Sequence, residues 1–486
     1  MGRQFQGQIE QIDANRWRIP RQSQPGMRVD GIIYANASLI DEVRSGGGAE
    51  QVANVATLPG IVRASYAMPD IHWGYGIPIG GVAATDIDAG GVVSPGGVGY
   101  DINCGVRLLR SDIPADQARA RIKQIVDQLF RDVPVGVGVG GPFKFDRREL
   151  RRIFGEGAGF LASRGLATQA DLDATESAGC LAGADPAAVS DEAYRRATDQ
   201  CGTLGAGNHF VEVQVVEEIL DAPAAAALGL SLDNITLMIH TGSRGLGHQI
   251  CQDAIKALRT VPQQYGISLP DRQLVCAPVT SAPGRRYLAA MRSAANFAWC
   301  NRQLLAVQVR RIMERLFGQS ADALGLRQVY DVAHNVAKIE THTVDGSPRK
   351  LCVHRKGATR AFGPGHPELP AVLRPWGQPV LIPGDMGTAS YVLLGTQGAM
   401  EQTFGSSCHG AGRVLSRQEA IRRSRGRRID KELAEAGVVA RARGRTGLAE
   451  EQPAAYKDVN AVVDCVTDAG LAKKVARMRP IGVIKG

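Results

Sequence analysis

The chain has 486 residues, 44% hydrophobic and 22% charged, the composition of an ordinary soluble globular protein with two or three domains or one unusually large one. A formal charge of +9 and a pI near 9.2 favour a polyanionic partner such as nucleic acid, without implying base preference. No run approaches the ~20 apolar residues of a membrane span, residues 1–20 hold no apolar signal core, and nine cysteines (104, 180, 201, 251, 276, 300, 352, 408 and 465) form no CxxC pair. A cytoplasmic protein with reduced thiols and no membrane partner is therefore expected.

Residues 1–60 read as a short strand-like start, a Pro25-Gly26 turn and two small helical patterns, the second after the glycine turn at 46–48. Residues 61–110 are the most glycine-dense part. Short apolar runs there, broken by Gly80-Gly81, Gly90-Gly91 and Gly96-Gly97, predict buried strands joined by tight turns. A helix is predicted from about Pro114, with Ile122, Ile125, Val126 and Leu129 on one face. Residues 145–200 are polar and rich in both charges and alanine, which predicts exposed helices or an inserted lobe without chemistry. Strands are predicted over 209–216, 235–240 and 328–333. The proline- and glycine-free segment 287–317 predicts a long helix packed on the core, and the runs 379–383 and 390–394 bracket a glycine loop. Residues 413–428 carry seven arginines against one glutamate. Strands and helices alternate irregularly, so the expected class is α+β rather than a doubly wound sheet. No repeat or linker marks a domain boundary.

With 58 glycines and only 5% aromatic residues, backbone-lined sites are favoured over an aromatic recognition surface. Five of the nine histidines stand at a strand end or in a glycine loop: His209, His240, His334, His354 and His409. Asp101 and Cys104 lie between Gly99 and Gly105. Oxygen, sulfur and imidazole nitrogen together suit borderline divalent ions. Spread over more than two hundred residues, they have no diagnostic spacing, and hydrogen-bonded structural histidines stay open as a reading. In Gly405-Ser-Ser-Cys-His-Gly-Ala-Gly-Arg413 the glycines can form an anion-binding nest around His409, and Arg413 can clamp a phosphate.

Seven segments together carry a resemblance. They are Tyr66-Ala-Met-Pro-Asp-Ile-His-Trp-Gly-Tyr-Gly76, Gly97-Val-Gly-Tyr-Asp-Ile-Asn-Cys-Gly-Val-Arg107, Leu204-Gly-Ala-Gly-Asn-His209, His240-Thr-Gly-Ser-Arg-Gly245, His354-Arg-Lys-Gly-Ala358, the Gly405-to-Arg413 loop and Gly482-Val-Ile-Lys-Gly486. In this order they closely resemble the RtcB family of RNA ligases, from about residue 15 to the last residue. The resemblance implies one domain over residues 1–486, a β-rich core with helices around it and the site in a central cleft. The resemblance implies joining of an RNA 3′-phosphate or 2′,3′-cyclic phosphate end to a 5′-hydroxyl end with GTP and two Mn²⁺ ions. Asp101, Cys104 and His209 would hold one ion and Cys104, His240 and His334 the other. His409 would be the nucleophile that becomes a covalent histidine–GMP. The guanylate pocket would comprise Asn208, His209, Phe210, Val211, Glu212, His334, Asn335, Pro383, Gly384, Asp385, Met386, Ser390, His409, Gly410, Ala411, Gly412, Tyr456 and Lys485.

Glu212 could accept from guanine N1–H and its amino group, which adenine does not offer. Arg244, Arg355, Lys356, Arg413 and Arg417 would grip RNA phosphates. Asn460 departs from an acidic residue expected there and could alter the loop near the guanine. Cys408 is read as packing. His72, His248, His342 and His366 are read as structural or exposed, although Asp70 and His72 lie in a matching segment. The expected substrate is RNA, either tRNA halves or cleaved RNA under repair, with an archease-type activator as a further partner and a monomeric enzyme. Two other classes stay open: a metal-dependent phosphohydrolase or nuclease built on the same Asp/Cys/His cluster, and a non-catalytic RNA-binding protein.

Overall fold

The computed structural model describes residues 5–486, so the first four residues of the stretch read for a signal core lie outside it. Two large sheets with helices packed around them give the expected α+β class. The seven-stranded sheet runs, in spatial order, Glu10–Gln11, Arg16–Ile19, Asp30–Tyr34, Ala64–His72, Ile79–Asp86, Ser347–Lys356 and Asn335–Val344. Its one parallel pair is Asp30–Tyr34 beside Ala64–His72. Parallel neighbours need a crossover, and the helices Ile40–Ser45 and Gly48–Val55 supply it.

The eight-stranded sheet runs Arg327–Ala333, Gly105–Pro114, Asn234–Thr241, Phe210–Ile219, Ala472–Lys485, Ser390–Gly395 and Pro379–Ile382, and Val439–Ala442 adds to Ala472–Lys485 in parallel. Its first and last strands approach each other, so the sheet curls into a nearly closed barrel.

The long helix is Ala282–Phe317. It starts five residues before the expected point because Pro283 and Gly284 fall in its first turn, where a missing N–H costs nothing. Ser281 caps it by accepting from the Gly284 N–H at 3.2 Å, and Gly318 closes it at φ 67°. Every residue from Ser293 to Ala306 is buried, on all sides of the helix. Polar residues in that stretch must therefore find partners inside the protein.

Residues 145–200 form helices, among them Arg147–Glu156, Ala158–Ser163 and Asp191–Ala197, and these pack on the long helix. Leu150, Ile153, Phe154, Phe160 and Tyr194 are buried in the same cluster as Phe297 and Trp299 of the long helix. The high charge of the segment masks this narrow apolar stripe. No helix among the described residues is long and apolar enough to cross a membrane.

Candidate active site

Strand register brings the expected metal-binding residues together. Gly105 pairs with Ala333 on one side and Thr241 on the other, and His240 pairs with Phe210. Cys104, His209, His240 and His334 each stand within one residue of these pairing positions, so antiparallel pairing collects four strand ends at one rim. Asp101 enters from the turn before Cys104, whose N–H donates to the Asp101 carbonyl at 2.9 Å. Asn103 in that turn takes a φ of 51°.

The ligand atoms are close. His209 Nε2 lies 2.8 Å from Asp101 Oδ2, and Cys104 Sγ lies 3.6 Å from His209 Nε2 and 3.3 Å from His240 Nε2. Ring centroids then step 5.7 Å from His209 to His240, 5.5 Å to His334 and 5.2 Å to His409. His334 is 1% exposed, yet both its ring nitrogens lack a hydrogen-bond partner, as does Nδ1 of His240. Buried polar atoms left so are costly, and an electron-pair acceptor would satisfy the one nitrogen of each neutral ring that carries a lone pair. Burial, then neighbouring imidazoles, push both rings well below the usual histidine range, so their lone pairs are free. Asp101 sits at about 2, because His209 and Arg244 outweigh the cost of its burial. Asp101, Cys104 and His209 bring their ligand atoms within 4.8 Å of one another, and that donor set fits a borderline divalent cation.

His409 follows the strand Ser406–Cys408, whose partner strand Ala358–Arg360 hydrogen-bonds back to the His334 carbonyl. Cys408 is fully buried in that strand, in keeping with packing. Asp70, assigned no role from sequence, accepts from the His409 backbone N–H at 2.9 Å and from its Nδ1 at 2.5 Å. The signal for it was a carboxylate in a strand otherwise mostly apolar, Ala64–His72. No described residue hydrogen-bonds the other ring nitrogen, Nε2.

His409 borders a cleft of about 200 Å³. Asn208, Phe210, Glu212 and Asn335 line one side. The loop Pro383, Gly384, Asp385 and Met386 faces Gly410, Ala411 and Gly412, and Tyr456 and Lys485 close the end. Val211 points the other way, into an apolar cluster, as strand alternation requires. Ser390 sits under the loop, accepting from the Gly384 N–H at 3.2 Å. Burial pushes Glu212 up to about 8 against the opposing pull of Gln214 and Lys485. Asn460 accepts from the Tyr391 hydroxyl at 2.6 Å and does not line the cleft.

Sequence reading missed Glu451. Its buried carboxylate faces Arg413 at 3.0 Å, Lys485 at 3.5 Å, Arg417 at 3.8 Å and the Tyr456 hydroxyl. It holds these cations beside the cleft. Glycines make room for two arginines: a Cβ on Gly205 would lie 2.3 Å from the Arg244 guanidinium, and one on Gly207 2.4 Å from that of Arg417. Arg244 reaches within 3.5 Å of His209 Nδ1.

Two expected phosphate contacts are placed differently. Arg355 is buried and forms a fork with Glu340 at 2.6 and 2.9 Å. Lys356 is buried, and its Nζ donates to the carbonyls of Tyr75 at 2.5 Å and Ile77 at 2.9 Å. Neither cation is presented to the cleft. A single chain does not distinguish a buried cation from a solvated one.

Behind the rim, Asn301 and Arg302 of the long helix tie the site together. Arg302 donates to Asp331 at 2.8 Å, to the Asn103 carbonyl at 2.7 Å and to the Thr241 carbonyl at 2.9 Å. Asn301 accepts from the N–H groups of Gly202 and Thr203 and donates to the Gly242 carbonyl. One helix turn thus anchors the loops of Cys104, His240 and His334 and the approach to His209.

The chain matches the family model described as tRNA-splicing ligase RtcB over residues 51–486. It is 52% identical to the tRNA-splicing ligase RtcB of Archaeoglobus fulgidus over 482 residues, covering 99% of this chain and all of that protein. It is 50% identical to that of Thermococcus kodakarensis over 98% of this chain and 99% of that protein. The RNA-splicing ligase RtcB of Mycobacterium tuberculosis is 53% identical over 90% of this chain and all of its own length.

Proposed function

Because the chain belongs to the RtcB family of tRNA-splicing ligases, we propose that it joins an RNA 3′-phosphate or 2′,3′-cyclic phosphate end to a 5′-hydroxyl end, using GTP and Mn²⁺ through a covalent histidine–GMP. The observation that carries this reading is the setting of His409: Nδ1 bound to Asp70, Nε2 free of protein partners, between the row of imidazoles and the cleft.

Asp101, Cys104 and His209 would hold one Mn²⁺, and Cys104, His240 and His334 the other. When bound, such ions neutralise phosphate charge and orient attacking and leaving oxygens. The chain's own groups do the rest. Asp70 fixes the Nδ1–H tautomer and steadies positive charge as Nε2 attacks the α-phosphorus of GTP. A nitrogen–phosphorus bond forms and pyrophosphate leaves. A 3′-phosphate, produced by water when the end is cyclic, takes GMP from His409 to give an RNA–pp–G end. The 5′-hydroxyl then attacks the 3′-phosphate and GMP departs.

Glu212 would read guanine. Arg413, Arg417, Arg244 and Lys485 would meet phosphates, with Glu451 holding three of them in place. Such backbone contacts imply affinity that falls with salt and little base preference. The chain would act as one cytoplasmic catalytic domain, as a monomer, with an archease-type activator as its further partner.

The test is incubation with α-labelled GTP and Mn²⁺. The wild type should acquire acid-labile, alkali-stable label that His409→Ala abolishes. A metal-dependent phosphohydrolase would cleave phosphate ends while never taking label, and that outcome overturns the reading.

A further inference from the structure

Beside Asp101, outside the guanylate cleft, lies a group of rings that the chemistry above does not use. Tyr75 and Tyr100 meet edge to face with centroids 5.5 Å apart, and Tyr100 and His248 lie 5.0 Å apart, tilted by 31°. Tyr100 directly precedes Asp101. Tyr75 and Tyr100 are half-buried and His248 is exposed. Neither phenol hydroxyl has a hydrogen-bond partner among the described residues. Two residues before Tyr75 stands Trp73, 41% exposed, whereas Trp17 and Trp299 are buried.

The loop that carries these rings is held rigidly. Gln51 donates to the carbonyls of Gly74 at 2.7 Å and Gly76 at 3.1 Å, and accepts from the Gly74 N–H at 3.0 Å. Gln273 accepts from the Gly76 N–H at 3.0 Å. Lys356 binds the Tyr75 and Ile77 carbonyls from below. Burial lowers the Lys356 amine to about 7, and both carbonyls it meets belong to this loop, so its place is to fix the loop. On the other side, His248 stands in the helix Arg244–Ala257, four residues after Arg244. The Arg244 guanidinium reaches within 3.5 Å of His209 Nδ1, beside the residues that would hold metal.

Resting on the ligase reading above, we propose that Tyr75, Tyr100 and His248, with Trp73 at their edge, form a stacking platform for the terminal base of the single-stranded RNA end that reacts. Every base has a π-face, so such a platform grips without reading sequence. It lies beside Asp101, where a base joined to the reacting phosphate could rest while Arg244 faces that phosphate. Low overall aromatic content conceals it, because the rings come from three separate segments.

The experiment measures binding of a short 3′-phosphorylated single-stranded RNA to the full-length wild-type protein without GTP, so that no joining occurs. Two further probes lack the base of the 3′-terminal or the 5′-terminal nucleotide. Removal of the 3′-terminal base should weaken binding by about tenfold, whereas loss of the 5′-terminal base should leave it within about twofold, and the reverse pattern overturns the placement. In Tyr75→Ala/Tyr100→Ala the same removal should matter by less than about twofold, whereas Tyr100→Phe keeps the preference because the ring face remains. Equal affinity of the wild type for all three RNAs overturns the platform, whatever the variants do. GTP labelling of the wild type separates the two readings. Label without base preference sinks the platform alone, and base preference without label sinks the ligase reading alone.

Discussion

The Asp70 carboxylate holds His409 twice, from its backbone N–H at 2.9 Å and from its Nδ1 at 2.5 Å, across 339 residues of sequence. This fixes both ring orientation and tautomer, leaving Nε2 as the nucleophilic nitrogen. Asp70→Asn preserves the shape but can present an amide N–H to Nδ1, which favours the wrong tautomer. Labelling by α-labelled GTP should slow by on the order of 100-fold or more, while GTP affinity stays within about twofold. A variant that labels at the wild-type rate would show that Asp70 is only a packing residue.

Arg302 predicts a coupling between stability and metal affinity. Its fork reaches Asp331 and the carbonyls of Asn103 and Thr241, next to Cys104 and His240. Lysine keeps the charge but cannot reproduce planar donors at these angles. Arg302→Lys should lose roughly 2–4 kcal/mol of stability, since buried acceptors go unpaired. It should also weaken metal binding by about 10–100-fold. Thermal melting and titration with Co²⁺, followed by its visible absorption, check both. Lowered Tm with unchanged Co²⁺ affinity would show that the helix supports the fold and not the site.

The rim of the site was legible because its residues obey local rules: His209 opens a strand-like run, His240 and His334 close others, and glycines surround His409. What lay behind the rim was not. Arg302 and Glu451 look like ordinary surface charges until tertiary packing buries them, and Lys356 sits in a matching segment yet turns inward. Asp70 is an acid in a mostly apolar strand, but its partner lies 339 residues away in sequence. Residues 145–200 read as exposed because average polarity hid Phe154 and Phe160. Periodicity reports one face at a time, and long-range polar pairing leaves no periodic trace.

The arginine run offers a salt-dependence test. Arg422 and Arg423 pair with Glu419 at 2.6 and 2.8 Å but remain well exposed, as does Arg425. Such surface pairs contribute at most about 1 kcal/mol, so replacing all three by glutamine should leave the fold intact. If they meet RNA phosphates, the slope of log affinity against log salt should fall by about 2 for single-stranded RNA. An unchanged slope would make the run a solvated face.

Glu212 sets a pH dependence whose sign follows from guanine chemistry. Burial raises its carboxyl to about 8, so in the free protein it is mostly protonated near neutrality. Guanine offers two donors, N1–H and its amino group, and both need the ionised carboxylate as acceptor. Binding must therefore release a proton below the pKa. GTP affinity should rise with pH, by roughly eightfold between about pH 7 and about pH 8.5, and level off above that. Calorimetry in buffers of different ionisation enthalpy would report the proton released. Glu212→Gln should bind GTP more weakly at high pH, lose the pH dependence and lose preference for GTP over ATP. If affinity falls as pH rises in the wild type, Glu212 binds guanine as the neutral acid or does not bind it at all.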